Sequence, residues 1–207
     1  MILVESEIYR IDDVVSIQEQ ERIKNVLLND SHFPWNFIHD VTMPGKNTRQ
    51  KRPGFVHLFA EANFAPRGVS GSKVVSEYNE DVESIIQFGA QKINAREVDV
   101  LQSRSFLQLP LSEQLAGNEI DTPHLDLGFD FHWVFLYYVK DSDGDTVIYD
   151  KKMTAPDDIP LFETLREKVR ITPKQGTLII FNGLYWHTAE QPKKDVRCII
   201  NFNLRVR

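Results

Sequence analysis

The pattern of apolar and polar positions divides the chain into a helical first part and a strand-rich second part. Ser16 with Glu19 three residues later forms a capping-box pattern, and apolar residues at about helical spacing follow, which predicts one helix. A second amphipathic helix is predicted to begin near Ser72 and to end at Gly89 or Asn94. The apolar stripes consist of Ile17, Ile23, Val26 and Leu27 in the first helix, and of Val75, Tyr78, Val82, Ile85 and Ile86 in the second.

From about residue 97 onward, short runs of alternating, β-branched or aromatic residues predict strands, with one helical insert at about Pro160–Val169. This order predicts a mainly β fold with N-terminal helices (α+β), in which the strands form a sandwich or a jelly-roll barrel. We expect a single domain over residues 1–207, with residues 1–96 as helical support and loops and residues 97–207 as the jelly-roll core. The predicted strands are Val98–Leu109, His132–Lys140, Thr146–Tyr149, Thr177–Phe181 and Arg197–Val206.

The two faces of the predicted strands differ in polarity. In the last strand, one face is continuously apolar and should pack under the helices, so Cys198 on that face is expected to be a packing residue. The opposite face is mostly polar and includes Arg197 and Asn201. In the strand at 132–140, Tyr138 would place its hydroxyl in a cavity if the face with mostly smaller side chains points inward.

A polar loop over residues 42–54 carries four basic residues, Lys46, Arg49, Lys51 and Arg52. Two interpretations stay open. The loop is either an ordinary solvated connection or a flap over a site that attracts an acidic partner.

Composition limits the class of protein. Hydrophobic content of 42% and charged content of 26% are ordinary for a soluble domain, and the net charge of −6 argues against a nucleic-acid partner. The single cysteine excludes an internal disulfide framework and suits a reducing compartment. Acidic residues come too early for a signal sequence, and no apolar run is long enough to cross a membrane. We therefore expect a soluble cytoplasmic protein without a membrane partner.

The candidate chemistry lies in His124, Asp126 and His187. An extended segment places residues i and i+2 on one face, so His124 and Asp126 can chelate one ion, and His187 follows a predicted strand. Two imidazoles and one carboxylate on one octahedral face leave three positions open, as in non-haem Fe(II) oxygenases. A His-x-Asp pair alone is also compatible with a surface hydrogen-bonded pair. His132 remains an alternative third ligand in place of His187.

Over about residues 97–207 the sequence resembles the 2-oxoglutarate- and Fe(II)-dependent oxygenases, in particular the small prolyl 4-hydroxylase-like branch. The resemblance implies a double-stranded β-helix (jelly-roll or cupin-like) core. It also implies that His124, Asp126 and His187 are the iron ligands, and that Fe(II), 2-oxoglutarate and O2 are required, with ascorbate as an optional addition. The segments that carry it are Pro123–Asp126, Phe135–Val139, Asp143–Thr146, Pro173–Phe181, and His187 with Arg197.

The resemblance also assigns co-substrate contacts. Arg197 would bind the distal carboxylate of 2-oxoglutarate, and Tyr138 matches the family tyrosine that hydrogen-bonds the same group. Asn201, four residues after Arg197 on the same face, would support the co-substrate or a nearby water. The remaining candidate pocket residues are Arg104, Phe106 and Gln108, with Ser103 and Ser105 on the opposite face as the alternative.

By resemblance, the expected reaction is hydroxylation of an amino-acid side chain (prolyl-type) in a peptide, or of a small molecule, with release of succinate and CO2. Asp126 argues against the halogenase variant, which leaves that ligand position open. Base demethylation is disfavoured because Asn203 stands where the nucleic-acid dealkylases have a second arginine. Two other classes remain, a metal-binding cupin-like module without oxygenase activity and an interaction domain without metal.

Overall fold

The computed structural model describes residues 2–5, 7–41, 52–66, 68–112, 122–128 and 130–207. These residues include twelve strands and two α-helices. The strands are β1 (Ile2–Glu5), β2 (Ile8–Ile11), β3 (Asn36–Ile38), β4 (Gly54–Ala65), β5 (Gly68–Val74), β6 (Val98–Gln108), β7 (Trp133–Tyr138), β8 (Thr146–Lys152), β9 (Glu167–Ile171), β10 (Leu178–Asn182), β11 (Tyr185–Ala189) and β12 (Arg197–Val206). The α-helices are α1 (Ile17–Leu28) and α2 (Glu83–Lys92), and 3-10 helices cover Glu77–Asn79 and Phe162–Thr164.

The strands form a large and a small antiparallel sheet. Within the described ranges, the large sheet has nine strands in the order β1-β2-β10-β7-β12-β6-β4-β3, with β5 paired to β4. The small sheet has the order β11-β8-β9. This mainly β architecture with two helices confirms the predicted double-stranded β-helix fold.

One core layer lies between the large sheet and the helices. Ile23 of α1 and Ile85 of α2 belong to the same buried cluster as Cys198, Ile200 and Phe202 of β12. The apolar face predicted for the last strand is therefore the face that packs under the helices. Cys198 is 1% exposed, and burial raises the pKa of its thiol to about 12, so it is a packing residue.

The second core layer lies between the two sheets. Val134, Leu136 and Tyr138 of β7 pack there with Ile148 of β8 and Ile199 of β12. The two faces of β7 are thus divided as predicted, with the smaller side chains and Tyr138 pointing inward. The same inward face of β12 carries Arg197 and Asn201 into the region between the sheets.

The expectation that residues 1–96 consist mainly of helices and loops is wrong, because five strands lie there. The predicted first helix is present, and Ser16 caps it by accepting a hydrogen bond from the Glu19 amide at 3.2 Å. The second helix begins at Glu83 rather than near Ser72, because Ser72 pairs with Ala62 in the β4–β5 hairpin. It ends before Asn94, which has a φ of 56°.

The expected helical insert at Pro160–Val169 is also wrong. The structure has only a three-residue 3-10 helix there, Phe162–Thr164, followed by β9, whose residues pair with β8. Residues 42–51 of the predicted basic loop lie outside the described residues. Among the described helices, none is long and apolar enough to span a membrane.

Candidate active site

The structure brings His124, Asp126 and His187 together. Their ligand atoms lie within 4.8 Å of one another. Asp126 Oδ2 is 3.8 Å from His187 Nε2, and Asp126 Oδ1 is 4.0 Å from His124 Nε2. Two atoms that each bind an ion at about 2.1 Å lie at most about 4.2 Å apart, so the carboxylate and either imidazole can share one ion. The donor set therefore fits a divalent transition metal.

A backbone bridge between distant segments positions the two histidines. The His124 amide donates to the His187 carbonyl at 2.9 Å, and the His187 amide donates to the His124 carbonyl at 3.2 Å. This antiparallel pair aligns the side chains, and the ring centroids are 4.7 Å apart. Leu125, between the two ligands of the His-x-Asp segment, points to a separate apolar cluster with Trp186. Alternation along both segments therefore directs the ligands to one side.

Both imidazoles are held in the tautomer that metal binding needs. His124 Nδ1 lies 3.2 Å from the Thr122 carbonyl oxygen, and His187 Nδ1 lies 3.0 Å from the Tyr185 carbonyl oxygen. Each Nδ1–H donates to a carbonyl, which leaves the Nε2 lone pair available. Burial lowers the pKa of His187 to about 4 and also lowers the pKa of His124, so both rings are neutral at pH 7.

Asp126 is buried and tightly held, with 1% of its side chain exposed. Its Oδ1 accepts a hydrogen bond from Arg104 Nη2 at 2.5 Å, and its Oδ2 accepts one from Asn201 Nδ2 at 3.0 Å. Burial alone would raise the pKa of Asp126. The positive charge of Arg104 and the hydrogen bond from Asn201 outweigh this effect of burial, and the pKa of Asp126 is held below its usual range.

A cavity of about 240 Å³ joins this metal-binding cluster to Arg197. Arg197 is 2% exposed, and its Nε donates to the Gly144 carbonyl at 2.9 Å. Its Nη1 donates to Gln108 Oε1 at 2.9 Å, and its Nη2 donates to Thr146 Oγ1 at 2.8 Å. A Cβ at position 144 would lie 3.0 Å from Arg197 Cδ and 2.7 Å from the Glu190 carbonyl, so glycine permits this close approach.

Most of the predicted pocket residues line the cavity. Arg104, Phe106 and Gln108 do so, whereas Ser103 and Ser105 are buried on the opposite face of β6. The cavity walls are formed by Ile38, Asp40, Val41, Val56, Leu58, Arg104, Phe106, Gln108, His124, Asp126, Leu136, Thr146, His187, Thr188, Ala189, Arg197, Ile199 and Asn201.

Tyr138 occupies a position behind the cavity wall. Its fully buried hydroxyl donates to Thr146 Oγ1 at 2.9 Å, and Thr146 in turn faces the cavity. Burial raises the pKa of Tyr138 to about 12, which keeps the hydroxyl protonated. Thr146 was missed as a site residue, although it closes the Asp143–Thr146 segment and begins β8.

His132 is placed outside the metal-binding cluster. It is fully buried, and its Nδ1 lies 2.6 Å from the Asp130 carbonyl oxygen. Of the two candidates for a third ligand, His187 is the one that lies beside His124 and Asp126. The apolar wall from β3 and β4, including Ile38, Val56 and Leu58, was not predicted because those strands were not.

The chain shares the fold of the 2-oxoglutarate- and Fe(II)-dependent oxygenases, and the predicted resemblance is thereby confirmed for the fold. No protein-family model and no curated protein sequence matches the chain. The likeness is found among solved structures at low sequence identity.

Three of these structures cover nearly the whole chain. A 2OG-Fe(II) oxygenase family oxidoreductase from Burkholderia pseudomallei has a TM-score of 0.65 and 13% identity, and the match covers 98% of this chain and 86% of that one. The non-heme alpha ketoglutarate dependent epimerase SnoN from nogalamycin biosynthesis has a TM-score of 0.63, 12% identity and coverage of 96% and 78%. The viral collagen prolyl hydroxylase of Paramecium Bursaria Chlorella virus-1, in complex with 2OG, has a TM-score of 0.56, 16% identity and coverage of 97% and 97%.

Proposed function

We propose that the protein is an Fe(II)- and 2-oxoglutarate-dependent dioxygenase, with His124, Asp126 and His187 as the iron ligands. The observation that carries this proposal is a single cavity with two distinct ends. One end presents two neutral imidazoles and a carboxylate, and the other presents the buried guanidinium of Arg197. A metal-binding module without a co-substrate would not need a buried cation at the far end.

In this proposal the chain's own residues bind and orient the reactants. Arg197 pairs with the distal carboxylate of 2-oxoglutarate, and Gln108 and Thr146 hold the guanidinium in place. Because Arg197 is almost completely buried, this ion pair forms away from bulk water, where it is strong. Bound Fe(II) with 2-oxoglutarate and O2 would supply the oxidation, in which one oxygen atom enters a substrate C–H bond and the other enters succinate as CO2 leaves.

For the substrate we propose an amino-acid side chain of the prolyl type in a peptide, or a small molecule. Apolar side chains from β3 and β4 line the cavity on the side of Arg104 and suit an aliphatic group. One structural neighbour is named a collagen prolyl hydroxylase, which supports the first choice, and another is named an epimerase, so hydroxylation itself belongs to the proposal. We also propose that the chain forms a single domain, that the protein is cytoplasmic, and that ascorbate has an optional role.

The test measures succinate formed from 2-oxoglutarate under O2 with Fe(II) present, together with binding of Mn(II) and 2-oxoglutarate without O2. We expect the wild-type protein to bind both and to form succinate. Arg197→Ala should lower the affinity for 2-oxoglutarate at least tenfold, since a charged hydrogen-bonded pair is lost. Arg205→Ala is the matched control, because Arg205 also lies on β12 but donates to the Val69 carbonyl. A wild-type protein that bound neither Mn(II) nor 2-oxoglutarate would contradict the proposal.

A further inference from the structure

Arg104 and Asn201 hold the Asp126 carboxylate from the large sheet. They are directly paired neighbours on β6 and β12. Arg104 Nη2 donates to Oδ1 of Asp126 at 2.5 Å, whereas Asn201 Nδ2 donates to Oδ2 at 3.0 Å. Each carboxylate oxygen therefore accepts one hydrogen bond, and the two bonds differ in charge and length.

The Arg104 side chain is largely buried at this contact. Its side chain is 14% exposed, its guanidinium lies over the Phe106 ring at 5.1 Å, and its Nε is buried without a hydrogen-bond partner. Placing a cation inside a cavity costs free energy, and a close anion offsets much of that cost. The anion is Asp126, which makes the pair a property of the metal-binding cluster rather than of the general packing.

The difference between the two bonds makes the carboxylate oxygens unequal as metal ligands. A guanidinium withdraws electron density from Oδ1 and repels a second cation there, whereas the neutral Asn201 amide leaves Oδ2 more available. Oδ2 is also slightly nearer to an imidazole, since it lies 3.8 Å from His187 Nε2, whereas Oδ1 lies 4.0 Å from His124 Nε2. A divalent ion is thus favoured on Oδ2 and disfavoured on Oδ1.

Resting on the proposed function, we propose that Arg104 is a positioning residue that makes Asp126 a one-oxygen ligand through Oδ2. A carboxylate that binds with both oxygens occupies two coordination positions. With two histidines it would leave two open positions instead of three, one too few for a chelating keto acid and O2 together. Arg104 would therefore preserve the position that O2 needs once the keto acid is bound.

The test uses Mn(II) in place of Fe(II) and excludes O2. We expect the crystal structure of the Mn(II)-loaded wild-type protein to show coordination through Oδ2 alone, with Arg104 still on Oδ1. In the neutral variants Arg104→Met and Arg104→Gln, both Asp126 oxygens should bind the ion. Mn(II) affinity should stay equal to the wild-type value or rise. In the crystal structure with 2-oxoglutarate added, the wild-type ion should keep one water ligand at the position that O2 would take, and the neutral variants should lose that water. Arg104→Lys, which keeps the charge, should restore it.

The controls separate this role from folding and from bulk charge. Arg205→Gln removes one charge from β12 outside the cavity. It should leave the affinities for Mn(II) and for 2-oxoglutarate within twofold of the wild-type values. Melting curves of the loaded variants check folding. If Arg104→Gln does not fold, Arg104→Met serves as the neutral variant, because its apolar side chain still covers Phe106. Wild-type coordination through both oxygens, retention of that water ligand in the neutral variants, or a tenfold loss of Mn(II) affinity would each overturn the inference. A wild-type protein that bound neither ligand would instead overturn the proposed function, and this inference with it.

Discussion

At the scale of single residues, Thr146 connects two buried groups to the cavity. Its Oγ1 accepts hydrogen bonds from the Tyr138 hydroxyl at 2.9 Å and from Arg197 Nη2 at 2.8 Å. A hydroxyl oxygen has two lone pairs, so both are used, and the hydroxyl hydrogen can be donated into the cavity. Thr146 is therefore the hydroxyl best placed to reach a carboxylate bound at Arg197, and Tyr138 supports it from behind.

This arrangement predicts different effects for two variants. Thr146→Val removes the donor and also leaves the Tyr138 hydroxyl unpaired, so 2-oxoglutarate should bind the Mn(II)-loaded protein about tenfold more weakly, as expected for a hydrogen bond to a charged group. Tyr138→Phe keeps the Thr146 hydroxyl and should change that affinity less than about threefold. Isothermal titration of both loaded variants checks the prediction, and a larger loss for Tyr138→Phe would contradict it.

The candidate metal ligands could be predicted from the sequence, but the identity of the hydroxyl that faces the cavity could not. Alternation places His124 and Asp126 on one side whatever the rest of the fold is, and Arg197 follows from the polar face of β12. Which hydroxyl reaches the cavity depends on how β7 and β8 pack across the two sheets. Local pattern puts Tyr138 on the inward face, yet only the packed structure shows that Thr146 lies in front of it.

At the scale of elements, the turn between β10 and β11 sets the position of His187. A Cβ at Gly183 would lie 2.2 Å from His132 Nε2, and the Gly183 amide donates to the His132 carbonyl at 2.9 Å. The turn and the strand β7 that begins after His132 are therefore in close contact. His132, which the sequence offered as an alternative ligand, packs here against the turn that precedes β11, the strand that carries His187.

We expect Gly183→Ala to destabilise the protein by about 1–3 kcal/mol, the usual cost of overpacking a buried contact. The shifted turn should also weaken Mn(II) binding, because β11 carries His187. Denaturant unfolding measures the first effect and Mn(II) titration the second. In the double variant Gly183→Ala/His132→Ala, the smaller side chain should relieve the clash, so the combined loss of stability should be less than the sum of the single losses. Additive losses would show that the contact is not the cause.

The sequence revealed the last strand, β12, but did not reveal β4 and β5. β12 was predicted with its observed bounds because ten alternating residues run without a break. β4 and β5 are half exposed and carry glycines and polar residues, so their pattern is weak, and they are strands because β4 pairs with β6. The stripe at Val75 and Tyr78 resembles a helix face, but these residues stand between a hairpin and α2. Tertiary pairing decided these segments rather than local preference.

At the scale of the whole molecule, the proposed metal site connects distant parts of the fold. His187 belongs to the small sheet, Asp126 is hydrogen-bonded to the large sheet through Arg104 and Asn201, and the bridge between His124 and His187 joins two segments far apart in sequence. An ion bound at these residues interacts with the native arrangement and not with the unfolded chain. Metal binding must therefore stabilise the entire fold, by a free energy that grows with the logarithm of the ion concentration divided by the dissociation constant.

This linkage gives a quantitative expectation for thermal unfolding. At a Mn(II) concentration one hundred times the dissociation constant, the folded state gains about 2.7 kcal/mol, which corresponds to a rise in Tm of roughly 5–10 °C for a domain of this size. Asp126→Asn and His187→Ala should abolish this rise in Tm, since each variant removes one of the metal-ligating groups. Asp158→Asn should keep it, because that carboxylate pairs with Lys151 and Thr154 on the surface. Differential scanning calorimetry with and without Mn(II) measures all four proteins, and an equal rise in the ligand variants would place the ion elsewhere.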